Sequence, residues 1–309
     1  NEIPSINKGI DKIGLQQIIT ENYVYFAPEY MSFLSEWITG TYRAFNDADK
    51  YTILTYLFRK NVTFYYENFI KVSYDDFYAV NHIEIDKINI VEIAKALGIP
   101  KETTRRKVSE LERSGVIKKK GKNLIIDKSA FKIVEPINTM KNLTNVFYLI
   151  YKICNKKGII NQNIEKEAII NSMRSNLTYT WYHYYKFIFT WLFNWKKFFN
   201  NDTEKFIIWC IPMLHRANKM RLEKNNSDLN ISTWRAGIEK IETRGINTMS
   251  LSDITGIPRP TVTRKLKTLI NNNHLTMDKQ KLIHPGTQGQ YKAEMYNIQN
   301  SALNEFSDF

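Results

Sequence analysis

The chain is short of the residues that announce most chemistries. It has two cysteines, Cys154 and Cys210, far apart and each inside an apolar stretch. That spacing suits neither a metal cluster nor a redox pair and reads as two buried thiols in a reducing compartment. The five histidines, His82, His183, His215, His274 and His284, show no HExxH or other paired-ligand spacing, so no metal is expected. There is no GxxxxGK(S/T) loop, no GxSxG elbow and no dinucleotide fingerprint. The acidic residues are scattered, and nothing pairs a nucleophile with a base. The expectation is a protein that is not an enzyme and carries no cofactor.

Long apolar runs are also missing. The nearest approach is Thr178 to Phe199, which is dense in Trp, Tyr and Phe but interrupted by His183, Lys186, Asn194, Lys196 and Lys197. A membrane-spanning helix needs about 20 mostly apolar residues, so this segment reads as a buried helix and no membrane partner is expected. No signal-peptide or lipidation pattern is visible at the start, which does not begin with Met. A cytoplasmic location is the expectation.

Hydrophobic residues make up 43% and charged residues 24% of 309 positions. This is the composition of a folded chain long enough for two ordinary domains. Lys and Arg number 44 against 31 Asp and Glu, a formal net charge of +13. That excess fits a polyanionic partner. AT-biased coding gives the same excess, so the position of the charge has to decide.

The sequence is written twice. Ile88-Asn89 and Ile246-Asn247 open two segments that align without a gap for nearly forty residues. They share Gly-Ile-Pro at 98–100 and 256–258, Thr103 with Thr261, Arg106-Lys107 with Arg264-Lys265, Leu111 with Leu269, and Leu124-Ile125 with Leu282-Ile283. Upstream the likeness is weaker but continues. Phe33 to Asn46 aligns with Phe187 to Asn200, which sets Trp37 against Trp191 and Phe45 against Phe199. A one-residue shift then sets Lys50 and Tyr51 against Lys205 and Phe206. Polar residues and Gly158 mark a boundary near 155–158.

In the first copy Ile90, Ile93, Ala94 and Leu97 recur at helical spacing, and Gly98 to Pro100 makes a tight turn into a new helix. That second helix, from about Lys101 to Ser114, turns Thr104, Val108 and Leu111 to one face and Glu102, Arg106, Ser109 and Arg113 to the other. Val116-Ile117, a basic KKKGK turn and Leu124 to Ile126 then read as a hairpin. Helix, turn, helix and hairpin make a winged helix-turn-helix, whose second helix is sized for a major groove. Positive charge lies on that helix at Lys101, Arg105, Arg106, Lys107 and Arg113, and on the wing at Lys118, Lys119, Lys120 and Lys122. The second copy turns Val262, Leu266 and Leu269 inward and Arg259, Arg264, Lys267 and Asn271 outward, with a less basic TMDKQK wing.

Gly98 to Asp127 resembles the DNA-binding module of Crp/Fnr-type transcription regulators. The resemblance implies base-reading roles for Lys101, Glu102, Thr103 and Arg106, and for Arg259, Thr261 and Arg264 in the second copy, where Pro260 replaces the family's Glu. It covers roughly forty residues per copy. A half made of a helical arm plus a winged helix is also similar in plan to a MarR-type subunit, so the chain resembles a fused dimer.

The sequence therefore predicts a mainly α fold with two winged helix-turn-helix modules, each preceded by an aromatic-rich helical segment, under an internal pseudo-twofold duplication. The expected divisions are a helical segment at 1–80, a first module at 81–135, a connecting and helical segment at 136–235, a second module at 236–290 and a C-terminal helix or tail at 291–309. The expected partner is double-stranded DNA. The aromatic helical part is a candidate holder of a small-molecule effector, and a homodimer is a candidate assembly. The DNA-contacting set is Lys101, Glu102, Thr103, Arg105, Arg106, Ser109, Arg113, Lys118, Lys119, Lys120, Lys122, Arg259, Thr261, Thr263, Arg264, Lys267 and Lys279. The leading function is a sequence-specific transcription regulator. A plasmid-type replication initiator that binds origin repeats, and a winged-helix adaptor for protein contacts, are the alternatives.

Overall fold

The computed structural model describes residues 12–85, 89–121, 123–127, 136–222, 230–286, 289 and 291–309. Among them are fourteen helices and five short strands. The first seven helices and three strands run α1 (Lys12–Glu21), α2 (Tyr23–Arg43), α3 (Ala48–Glu67), α4 (Tyr74–Ala79), β1 (His82–Ile85), α5 (Ile90–Leu97), α6 (Lys101–Arg113), β2 (Ile117–Lys120), β3 (Asn123–Asp127) and α7 (Pro136–Lys156). The remainder runs α8 (Lys166–Ser175), α9 (Leu177–Phe198), α10 (Thr203–Leu222), α11 (Ile231–Lys240), α12 (Thr248–Thr255), α13 (Arg259–Asn271), β4 (Leu275–Met277), β5 (Ile283–Pro285) and α14 (Lys292–Asp308).

The helices follow from the sequence pattern. Asp47 caps α3 by accepting from the Asp49 and Lys50 amides, and Asn89 caps α5 by accepting from those of Val91 and Glu92. Asn247 caps α12 through the Ser250 amide. Such caps satisfy amides that have no partner within the helix, at about 1 kcal/mol each. The aromatic segment forms α9, a helix with Trp181, Phe187, Phe189 and Trp191 buried. No described helix is long and apolar enough to cross a membrane.

One hydrophobic core runs through the chain, and its contacts come in pairs. Helix α3 packs on α9, and α10 packs on α2. Helix α7 packs along α2, and α14 packs along α9. Helix α1 lies on α14, and α8 lies on α7. At the meeting of α2 and α9, Phe33 stacks on Phe187 with centroids 6.1 Å apart, and Trp37 meets Trp191 edge-on at 5.8 Å. Trp37 also touches Tyr51, and Trp191 touches Phe206, at 6.0 and 5.2 Å. Each of these residues is one that the sequence alignment had set against its counterpart.

The strands depart from expectation in two ways. The hairpins were to supply the only clear strands, yet β1 adds a third, giving the order β1-β3-β2 with both pairings antiparallel. Its four residues bury Ile83 and Ile85 and expose His82 and Glu84, a pattern too short to stand out in sequence. The second hairpin has a shorter counterpart, an isolated bridge between Ile246 and Ile283. Furthermore, Lys118 to Lys120 lie on strand β2 rather than in the turn, with Lys119 opposite Leu124.

Truncating the seam by Trp191→Ala should cost about 3–5 kcal/mol. Because one core serves the whole chain, denaturation followed by tryptophan fluorescence and by circular dichroism should give a single coincident transition. Two separated transitions would refute the shared core. Burial holds His183 and His274 below the ordinary imidazole value of 6.5. The unfolded chain therefore binds protons that the fold excludes, and stability rises with pH through the window just below 6.5. The thermal midpoint should fall from about pH 7 to about pH 5, and both His→Gln changes together should flatten that fall.

Candidate nucleic-acid interface

The interface is built on the turn between α5 and α6. Gly98 ends α5 in the left-handed region at φ +59°, and a Cβ there would lie 3.0 Å from Asn201 Oδ1. Glycine is thus required twice over, by the backbone and by the close approach of the α9–α10 corner. Gly256 repeats both demands at φ +75°, where a Cβ would lie 2.7 Å from Cγ of Arg43 at the end of α2. Ile99 and Ile257, next in each turn, are buried.

Beyond the turn, α6 buries Thr104, Val108 and Leu111, and α13 buries Val262, Leu266 and Leu269. These are the inward faces expected from periodicity. Two ion pairs then fix how α6 sits on α3. Lys107 Nζ donates to Asp47, and Lys50 Nζ lies 2.8 Å from Glu110. On α13, Lys265 Nζ lies 2.5 Å from Asp202 and 3.1 Å from Glu204. Lys107 and Lys265 thus face the helical core and are not outward charges.

A second set of ties crosses between the halves. Lys196 of α9, only 1% exposed, donates at 2.9 Å to the Leu97 carbonyl at the end of α5 and lies 3.8 Å from Asp49. Burial lowers the Lys196 pKa, against the pull of Asp49, and burial raises that of Asp49. The pair is held by geometry at the expense of solvation. Arg43 of α2 makes the counterpart contact, donating to the Asp253 carbonyl of α12. Sequence reading missed the roles of Lys196 and Arg43 because their partners lie on helices distant in the chain.

The outward faces carry the expected DNA-contacting set. On α6, Lys101, Glu102, Arg105, Arg106 and Arg113 are exposed, while Thr103 and Ser109 are half-buried. Glu102 accepts from Arg105 through both carboxylate oxygens at 2.8 Å, so these two neutralise each other on the helix surface. Arg106 makes no ion pair or hydrogen bond among the described residues and points its charge to solvent. On the wing Lys118 is exposed, and exposed Lys120 lies 3.9 Å from Glu84 of β1. Lys122 and the side chain of Lys119 lie outside the described residues.

On α13, Arg259, Thr263, Arg264 and Lys267 are exposed and line one shallow hollow together with Pro260, while Thr261 is half-buried. Lys279 is exposed in the β4–β5 turn. That turn is closed by Asp278, which accepts from the Gln280 and Leu282 amides and lies 3.0 Å from His284 Nε2. Among the described residues no group of three His, Cys, Asp or Glu side chains is placed to hold a metal.

A short helix, a glycine turn, a second helix with an apolar inner and a cationic outer face, and a hairpin define a winged helix-turn-helix. Residues 86–118 match the family model for winged helix-turn-helix DNA-binding domains. No curated protein and no solved structure matches the chain.

The assignment of Lys107 gives a direct check. Lys107→Met should lower stability by about 2 kcal/mol in thermal melts and leave the salt slope of duplex binding unchanged. A slope reduced by about one unit would mean that Lys107 contacts phosphate after all.

Proposed function

We propose that the chain is a sequence-specific regulator of transcription that reads double-stranded DNA with two winged modules and has no catalytic step. The observation that carries this reading is the outward face of α6, where Arg106 stands uncommitted between Lys101 and Arg113 while the neighbouring Lys107 is spent on the fold. Free guanidinium groups on a groove-sized helix suit bidentate contact with guanine. Wing lysines such as Lys118 suit phosphate, which positions a protein without specifying sequence.

We extend the reading to α12, α13 and the β4–β5 hairpin as a second winged module, and to the chain as a fused pair of like subunits. Support comes from matching lengths and mirrored contacts. Helices α1 and α8 each have 10 residues, α3 and α10 each 20, α5 and α12 each 8, and α6 and α13 each 13. The arrangement of equivalent residues across one seam is that of an isologous dimer interface. The plan of helical arm and winged head is like that of MarR-type subunits. The less basic second wing makes the two heads unequal readers.

Selection from a random duplex library at near-physiological salt should enrich two related, unequal half-sites about one helical turn apart. A single isolated half-site would remove the second module from the reading. Retention without sequence preference would replace regulation with an architectural role, and no retention at low salt would turn the modules to protein contact. On the selected site, Arg106→Ala should relax one base pair at a cost of about 1–3 kcal/mol. By contrast, Lys118→Ala should weaken every duplex alike and reduce the salt slope by about one. Equal losses on random DNA from both variants would contradict the division between base and phosphate contacts.

A further inference from the structure

A hollow opens between α2 of the first half and several helices of the second. It is a cavity of about 490 Å³ between α2, α9, α10, α11, α14 and strand β5, within the size range of sites for small organic ligands. Four of the chain's six tryptophans, Trp191, Trp195, Trp209 and Trp234, line it. Walls of this kind accept a flat or extended apolar body.

Its polar groups are few and unequal in commitment. Arg235 donates to the Gln299 and Asn300 side chains and lies over the Tyr296 ring at 4.1 Å. Lys292 is paired with Glu239 at 2.8 Å. Arg216 differs. Among the described residues its Nε is buried with no hydrogen-bond partner, and none of their carboxylates offsets the burial that lowers its pKa. A second buried donor without a partner, Trp209 Nε1, belongs to the same lining. Two orphaned N–H groups in one apolar cavity are costly unless an acceptor joins them.

The corresponding place in the first half is filled. Met213 and Met31 line the cavity. The alignment sets Phe58 against Met213 and Tyr185 against Met31, and those two rings are buried and pack 5.8 Å apart, with Phe77 5.2 Å from Phe58. Asn61 stands in the place of Arg216, so this cation has no equivalent at the aligned position.

We infer that this cavity is the binding site for an amphipathic organic anion, a carboxylate or similar group on an apolar body, held by Arg216 and Trp209 Nε1. The lining includes Pro285 and Gly286 at the base of the second hairpin and Ile238 of the helix that leads into α12. A bound ligand touches the helical core and the β4–β5 hairpin at once, so it acts on one head and leaves the other alone. That consequence rests on reading α12, α13 and the hairpin as a DNA-binding module; the binding site itself does not.

The test uses two fluorescent probes of nearly the same shape on the native chain, anilinonaphthalene sulfonate and its neutral relative N-phenylnaphthylamine. Both should bind at one site per chain and quench tryptophan emission. Arg216→Gln should weaken the sulfonate about tenfold while leaving the neutral probe unchanged. Met213→Phe, which copies the first half, should weaken both probes, with circular dichroism reporting that the variant is folded. Sulfonate binding that ignores Arg216→Gln would overturn the anion assignment. Native chain that binds neither probe would overturn the site, and so would probe binding that survives Met213→Phe in a folded variant. If Met213→Phe fails to fold, the contrast between charged and neutral probes on Arg216→Gln still decides. No DNA is present, so failure here is distinct from failure of the duplex selection.

Discussion

The seam where α2 meets α9 sets the position of almost everything else. Phe33 lies on Phe187 and Trp37 on Trp191, and such rings bury 150–250 Å² each while fixing orientation through edge and face preferences. Once these helices are crossed in this way, α3 is carried onto α9 and α10 onto α2. Helix α6 rides on α3 through Lys107, and α13 on α10 through Lys265. The spatial relation of α6 to α13 is therefore a property of the core they share.

The cations of a chain with net charge +13 divide into two kinds that composition cannot distinguish. Lys107, Lys265, Lys196 and Arg43 are consumed in fixing helices, two of them by reaching across the seam to a backbone carbonyl. Buried or half-buried charge is a weak source of net stability but tolerates few alternative arrangements, and here it fixes how α6 and α13 sit on the core. Lys101, Arg106, Arg113 and Lys118, with Arg259, Arg264 and Lys267, remain turned to solvent. Because Glu102 and Arg105 cancel each other, the usable charge on α6 is concentrated at its two ends and at Arg106.

The two hairpins and the surroundings of the cavity differ in charge and in filling. The β4–β5 hairpin carries fewer lysines than the β2–β3 hairpin, and the cavity beside it is lined by Met31 and Met213 where the aligned Tyr185 and Phe58 pack ring against ring.

Much was legible in the sequence. Periodicity gave the buried faces of α6 and α13, the Gly-Ile-Pro turns gave the helix junctions, and interruption of the aromatic segment by His and Lys identified α9 as a buried helix. These are local properties, decided within one or two helical turns, and a single stretch of sequence contains all their determinants. Strand β1 escaped because four residues carry too little alternation, and the wing lysines were assigned to a turn because nothing local shows a strand continuing through charge. The roles of Lys107, Lys196, Arg43 and Arg216 were beyond reach for a different reason. Whether a cation is spent, shared or free depends on what lies beside it, and its neighbours come from helices distant in the chain. Sequence determined which faces are apolar and where the turns fall. Only the packing of α2 against α9 decided which charges face the core, which face solvent, and where the interior stays open.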